Sequence, residues 1–410
     1  MLTQSITGKA AYYMQLEEKY GAHNYHPLPV VLEKGEGVFL YGTDGKRYYD
    51  YLSGYSAVNQ GHCHPKIIQS LIEQAQKLTL TSRAFFNNRL GEFEKYITSL
   101  FGYDKVMPMN TGVEAVETAL KLARRWGYDV KGIAENKAKI VVCKENFHGR
   151  TTTVISFSSD PSSFSGFGPY TPGFEIVDYN DIPAIEKAFQ DKNVAAILVE
   201  PIQGEAGVRV PDDGYLKGIR SLCTEYNVLF IADEIQTGLA RTGKMLACDH
   251  EEVRPDILLL GKALSGGTLP VSAVLCDDYI MLTIKPGEHG STYGGNPLAC
   301  AVAITSLQVL LDEHMAENAA AMGIILRDEL AKLNSPFITT IRGKGLLNAI
   351  VIKHAKPDAA WDFCLELKEN GLLAKPTHGD KIRFAPPLII TKKQILESVD
   401  IIGRSLNILS

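Results

Sequence analysis

Two short apolar runs constrain the fold of this chain more than any other feature: VLFIADE, beginning at Val228, and DILLLGK, ending at Lys262. β-Branched residues and leucines follow one another in both without polar alternation, the pattern of strands buried on two faces. Each run ends in a charge, Asp233 where the first runs out and Lys262 two residues past the apolar part of the second. In an open parallel sheet the ligand crevice lies outside the carboxyl ends of the strands, so both charges are expected to meet in one cleft. A carboxylate and an amine placed there suggest a cofactor.

Further strand candidates, AKIVVCKE, TTTVISF, AAILVEPI and VSAVLC, alternate with helical or loop-length segments. In one helix, GVEAVETALKLARRWG, residues Val113, Val116, Leu120 and Ala123 share a face. This alternation implies an α/β fold with a mostly parallel central sheet covered by helices. From Val30 to Tyr51 the pattern is that of antiparallel strands or hairpins. After about Tyr293 come long helices, then the short strands LLAKP and KIRFAPPL, and a last helix from Thr391, where Thr391 and Gln394 fit a capping box. The expected division is an N-terminal segment, 1–52, packing with a small domain; a large domain, 53–292; and that smaller α+β domain, 293–410.

A hydrophobic share of 45% and a charged share of 22% suit a large globular core, and a net charge of -5 leaves no basic footprint for nucleic acid. No apolar run approaches the roughly 18 residues needed to span a bilayer. The seven cysteines are scattered and lack a C-x-x-C pair, so reduced thiols are expected rather than a disulfide framework. The N-terminus has no apolar core, carries Glu17 and Glu18, and has no arginine before Arg47, which points to the cytosol. His62-Cys63-His64-Pro65 has no second ligand pair and reads as a turn before a helix, not a metal site. Gly238 to Lys244 satisfies G-x-x-x-x-G-K, but Met245 cannot supply the hydroxyl that a P-loop gives to magnesium.

Lys262 could be a solvated loop charge, yet the apolar run before it and Ala263-Leu264 after it leave little room for water. A desolvated amine loses part of its preference for the proton and attacks aldehydes, as a Schiff-base lysine does. Asp233 could be a strand end or a helix cap; beside a pyridine nitrogen it would keep that nitrogen protonated. Gln236, one turn on, would reach a ring hydroxyl. Thr111-Gly112-Val113-Glu114 opens a helix, and either a capping box or a phosphate fits it. Ser291-Thr292-Tyr293 is a further hydroxyl-rich loop. Phe147 could be core or stack on a ring, and Arg150 suits a substrate carboxylate. Glu205 and Arg383 are unremarkable alone and would default to the surface.

Seven stretches, YDYLSGYSAVNQGHCHP, NTGVEAVETALKLARRW, FHGRT, EPIQGEAG, ADEIQTGLARTGK, PDILLLGKALSGG and GSTYGGNPLACA, occur in that order. Together they resemble the class III aminotransferases, pyridoxal-phosphate enzymes of fold type I, over essentially the whole chain. The resemblance implies pyridoxal 5'-phosphate as cofactor, with Lys262 the Schiff-base lysine and proton shuttle, Asp233 the partner of the ring nitrogen and Gln236 the contact to the ring hydroxyl. It implies that Phe147 stacks on the ring and that Gly112 and Val113, at the helix opened by Thr111, hold the phosphate. Thr292 would reach the phosphate from a second subunit, making a homodimer part of the site.

The residues from Gly21 to Pro65 are most similar to the members of that class that use L-ornithine as donor and 2-oxoglutarate as acceptor, in ping-pong halves. On that resemblance Tyr25 and Arg150 hold the α-amino and carboxylate end, Tyr55 shapes the pocket, and Glu205 and Arg383 form a switch pair. Members acting on acetylornithine or 4-aminobutyrate share most of these motifs, and Tyr25 with Tyr55 tilts against both. A non-catalytic binding or regulatory protein on the same fold would not require an intact lysine, aspartate and switch pair.

Overall fold

The computed structural model describes residues 8–409. The first seven residues of the N-terminal stretch, read above for a leader, lie outside the described residues. Three antiparallel strands come first: β1 (Leu32–Glu36), β2 (Phe39–Gly42) and β3 (Arg47–Asp50). The central sheet follows, with β4 (Lys105–Met109), β5 (Lys139–Cys143), β6 (Phe174–Val177), β7 (Val194–Val199), β8 (Leu229–Asp233), β9 (Ile257–Leu260) and β10 (Ser272–Cys276), in the order β4-β10-β9-β8-β7-β5-β6. Strands β5 to β9 run parallel, while β10 is antiparallel to both of its neighbours.

Every residue of β7, β8, β9 and β10 is buried, which is why these runs carry no polar alternation. Successive side chains point to opposite faces. Ile140, Val142, Ala196, Leu198, Leu229 and Ile231 pack with Val116, Leu120 and Ala123 of the helix Gly112–Asp129. Val141, Ile197, Val199 and Phe230 pack on the other side with Ile185, Ile219 and Leu222. The sheet therefore has helices on both faces, and the strands must be apolar throughout.

TTTVISF is not the strand its β-branched residues predict; Thr152–Ile155 is one short helical turn. Val154 and Phe157 fill space against the helix Gly112–Asp129, so tertiary packing overrides local propensity there. The two edge strands, β4 and β6, escape the apolar pattern because each has only one strand neighbour. Pro108 in β4 is tolerated at such an edge.

The remaining strands are β11 (Ile338–Lys344), β12 (Leu347–Ile352), β13 (Leu372–Leu373), β14 (Pro376–Thr377) and β15 (Lys381–Phe384). They form a sheet in the order β11-β12-β15-β14, and β13 joins β3 in parallel, tying the N-terminal strands to the C-terminal part of the chain. The capping box of Thr391 and Gln394 opens the helix Lys392–Ser405 as expected. His62 Nε2 lies 2.7 Å from Asp50 Oδ2, and no cluster of three or more potential metal ligands exists among the described residues. All seven cysteines are free thiols, Cys63 alone being exposed. Among the described residues no single helix is long and apolar enough to cross a membrane; the pair Pro297–Asp312 and Met315–Lys332 is apolar enough together but is bent by 58°.

Candidate active site

The carboxyl ends of β5, β7, β8 and β9 open on one cleft. Asp233 is the last residue of β8 and only 5% exposed. Its Oδ1 accepts the Ile235 N–H at 3.2 Å and its Oδ2 lies 2.6 Å from His148 Nδ1. Burial opposes an imidazolium at His148, but the hydrogen bond and charge of Asp233 outweigh it and hold the pKa above the ordinary value.

Lys262 begins the turn Lys262–Ser265 after β9, with φ 43. Its side chain is partly accessible from the cleft, yet so much protein surrounds it that burial pushes the amine below its ordinary pKa. Glu205 and Asp233 oppose that shift without cancelling it. A fraction of neutral amine near Asp233 is what an aldehyde requires.

The polar default for Glu205 and Arg383 gives way to a buried pair. Arg383, on β15 and 2% exposed, donates from Nη1 to Glu205 Oε1 at 2.5 Å and to Gln236 Oε1 at 3.2 Å. Gln236 Nε2 in turn donates to Glu205 Oε1 at 3.0 Å. Burial disfavours a charged Glu205, but Arg383, Gln236 and Lys262 together keep its carboxyl below the usual range. Gln236, expected at a ring hydroxyl, is hydrogen-bonded here to both members of the Glu205–Arg383 pair. Gly204 makes room for it, since a Cβ at 204 would lie 1.7 Å from Gln236 Oε1.

Tyr55 lies with its ring centroid 5.0 Å from the Arg383 guanidinium. Residues 53–56 all have positive φ, from 48 to 71, a left-handed turn that costs roughly 1–2 kcal/mol per non-glycine residue. Such strain persists where surrounding structure over-determines it, and here it presents Tyr55 to the pair.

At the start of the helix Gly112–Asp129 the capping box forms: Thr111 Oγ1 accepts from Glu114 N, and Glu114 Oε2 accepts from Thr111 N at 2.8 Å. That leaves the N–H groups of Gly112 and Val113 without a protein acceptor among the described hydrogen bonds, so the cap does not close this helix start to an anion. Gly149, at φ 131, brings the FHGR loop against this helix start; a Cβ there would lie 2.4 Å from Val113 Cγ2.

Three expected residues remain outside this buried cluster. Tyr25 is 71% exposed, and Arg150 is exposed, with its guanidinium 5.5 Å from the Phe147 ring centroid and Nη1 3.3 Å from Ser163 Oγ. Thr292 is exposed too, while Ser291 beside it accepts from Asn110 Nδ2 at 2.8 Å.

Residues 20–406 match the family model described as Aminotransferase class-III. The chain belongs to this family. It is 67% identical over 404 residues to a rat protein named ornithine aminotransferase, mitochondrial, covering 98% of this chain and 92% of the relative. A solved ornithine aminotransferase of Toxoplasma gondii, described as having partial occupancy of PLP at its active site, superposes with a TM-score of 0.96 at 49% identity, covering 98% and 94% of the two chains. A solved acetylornithine aminotransferase of Elizabethkingia anophelis is 59% identical, with a TM-score of 0.90 and 98% and 100% covered.

As a class-III aminotransferase the chain takes pyridoxal 5'-phosphate, and the residues present fit it. Lys262 would offer an amine to its aldehyde, Asp233 a carboxylate to its nitrogen, and Gly112 and Val113 two amides to its phosphate.

Two residues of the cleft carry no role in the sequence reading. His148 stands between Phe147 and Arg150, and Glu200 opens EPIQGEAG one residue past β7. Glu200 Oε1 accepts the Phe147 N–H at 2.9 Å. The signal was position: a polar residue immediately after a fully apolar strand faces the same crevice as Asp233.

Proposed function

We propose that this class-III aminotransferase moves the δ-amino group of L-ornithine to 2-oxoglutarate, giving glutamate 5-semialdehyde and glutamate. The observation that carries the reading is the Glu205–Arg383–Gln236 cluster beneath Tyr55. A buried arginine held by a carboxylate that can swing aside suits a pocket receiving two unlike substrates in turn.

Pyridoxal 5'-phosphate, when bound, supplies an aldehyde for primary amines and a protonated ring nitrogen that draws electrons from the reacting carbon. The chain does the rest. Asp233, fixed by Ile235 N and His148, keeps the ring nitrogen protonated. Lys262 Nζ, with its depressed pKa, would move a proton between the amine-bearing carbon of the substrate and the carbon that the cofactor's aldehyde supplies. Phe147 covers a ring face, and Arg150 with Tyr25 holds the α-end of ornithine so that the distal amine points inward. Glu205 neutralises Arg383 while the donor is bound, then yields it to a carboxylate of 2-oxoglutarate, Arg150 taking the other.

Glu205→Ala is expected to reduce the preference for ornithine's δ-amine over the α-amine of glutamate by at least about tenfold, since an unpaired Arg383 would then hold a carboxylate in both half-reactions. Ratios of kcat/KM for the two donors check this, and an unchanged ratio would count against the switch.

The 59% identity to an acetylornithine aminotransferase supports a second reading, acetylornithine as donor. Mixing the purified holoenzyme with ornithine, acetylornithine or 4-aminobutyrate decides between them: ornithine alone should bleach the visible cofactor band within a turnover. No response to any amine would instead fit a binding or regulatory role.

The proposal includes a homodimer with shared active sites. Thr292, exposed in the single chain, would reach the partner's phosphate, and Phe85, 70% exposed, with its neighbour Phe86 gives apolar surface for such a contact. Light scattering giving one chain mass would remove Thr292 from the site. The cytosolic placement meets a relative named mitochondrial, and cell fractionation with an antibody to this chain separates the two.

A further inference from the structure

We propose that Glu200 is a positioning residue of the cofactor pocket, aligning Phe147 through its main-chain N–H and, through the next residue, His148 against Asp233. The topology makes the connection direct. Strand β7 lies between β5 and β8, so the residue just past its end sits between the FHGR loop that follows β5 and the carboxylate that ends β8. Glu200 is buried there, and its Oε1 receives the Phe147 amide at 2.9 Å. One residue on, His148 Nδ1 meets Asp233 Oδ2 at 2.6 Å. A carboxyl on one side of the dipeptide holds the Phe147 main chain, and a carboxylate on the other holds the His148 ring. The main chain of Glu200 is itself held, its carbonyl accepting from the Tyr179 hydroxyl at 3.2 Å.

The placement also gives the site a titrating neighbour. Burial pushes the Glu200 carboxyl up to about 7; His148 works against that shift, and Asp233 and Glu205 add to it. Lys262, Cys143 and Tyr179 complete the ionisable groups that feel its charge. Across neutral pH the acceptor for Phe147 therefore passes from a carboxylic acid to a carboxylate, and a charged acceptor binds an N–H more strongly.

Two substitutions in the holoenzyme test this. Glu200→Gln keeps an oxygen acceptor where Oε1 stands, whereas Glu200→Ala removes it. The readouts are the dissociation constant of pyridoxal 5'-phosphate, from the visible absorbance of the protein, and the pH profile of that absorbance. Glu200→Ala should weaken cofactor binding by about tenfold or more, the size of one hydrogen bond to a charged acceptor, and Glu200→Gln by less than about threefold. In Glu200→Gln the profile should lose its inflection near neutral pH while the band itself remains. Equal cofactor affinities in the two variants, or a profile in Glu200→Gln identical to the parent's, would overturn the role. Absence of any visible band in the parent would overturn the cofactor site and this role with it. The melting temperature of each cofactor-free variant separates a folding defect from a binding one, and rescue of affinity by glutamine at equal stability is the expected pattern.

Discussion

Lys262→Ala should lower transamination by at least about ten-thousandfold while leaving the cofactor bound, because the proton transfer and the covalent tether both depend on this one amine. The other anchors are independent of it. The phosphate would meet the amides of Gly112 and Val113 that the cap leaves open, and the ring nitrogen would meet Asp233, so dialysed variant protein should keep its cofactor at stoichiometric levels. Lys262→Arg is expected to fail as completely. A guanidinium stays charged at every accessible pH, whereas burial in this cleft pushes the lysine amine toward its neutral form. Stopped-flow absorbance with ornithine checks both variants: the band should respond to substrate binding and then stall. Steady turnover by either variant would remove Lys262 from the chemistry.

What the sequence makes legible here follows from burial. Strands covered on both faces must be apolar from end to end, so a charge at the end of VLFIADE or just past DILLLGK stands out, and Asp233 and Lys262 were readable for that reason. Edge strands obey no such rule, and KVMPM and FEIV left no comparable trace. Glu205 and Arg383 lie 178 residues apart and are ordinary polar residues in their own segments; only the folding of β15 beside the EPIQGEAG loop makes them a pair. Gln236 follows Asp233 closely in sequence, but its hydrogen bonds to Glu205 and Arg383 depend on space that Gly204 leaves, which no local pattern announces. The left-handed turn at residues 53–56 has one glycine among four positions, so its strain is invisible without coordinates. His148 shares a tetrapeptide with Phe147 and Arg150, but nothing in that tetrapeptide shows that its ring meets Asp233, 85 residues away.

The two parts of the cleft come from different sheets, and their relative placement has its own device. Thr377 Oγ1 donates to the Glu205 carbonyl at 2.9 Å, and Arg342 Nε donates to the Gly207 carbonyl at 2.9 Å, so the EPIQGEAG loop is held by β14 and β11. A deeper link lies behind it, in the segment that mimics a phosphate loop.

Arg241→Ala should destabilise the protein by about 3–5 kcal/mol, the cost of stranding three buried oxygens and opening a cavity. Arg241 is 0% exposed. Its Nε and Nη2 donate to Asn59 Oδ1 at 3.1 and 2.6 Å, and its Nη1 to the carbonyls of Leu346 and Pro386 at 3.0 and 2.6 Å. One guanidinium thus joins the segment after β3, the turn between β11 and β12, and the segment after β15. Among the described residues no carboxylate accepts from it, and burial pushes its pKa down, with Asp50 opposing; three oxygen dipoles carry the charge. Alanine would leave those oxygens unsatisfied in the interior and open a cavity. Lysine, lacking the planar fork, cannot serve all three and should recover only part of the loss. The glycines of the motif serve the same packing: Gly243, at φ 93, leaves no space for a side chain against Ala320. The melting temperature of Arg241→Ala should therefore drop by about 6–20 °C, at roughly 2–4 °C per kcal/mol for domains of moderate size. Because Arg241 makes no hydrogen bond to Lys262, Asp233, Glu205 or Arg383, the folded fraction should keep the parent's cofactor spectrum. A melting temperature within about one degree of the parent would show that the three oxygens find water when the arginine is gone, and that the segments are held together by their apolar contacts alone.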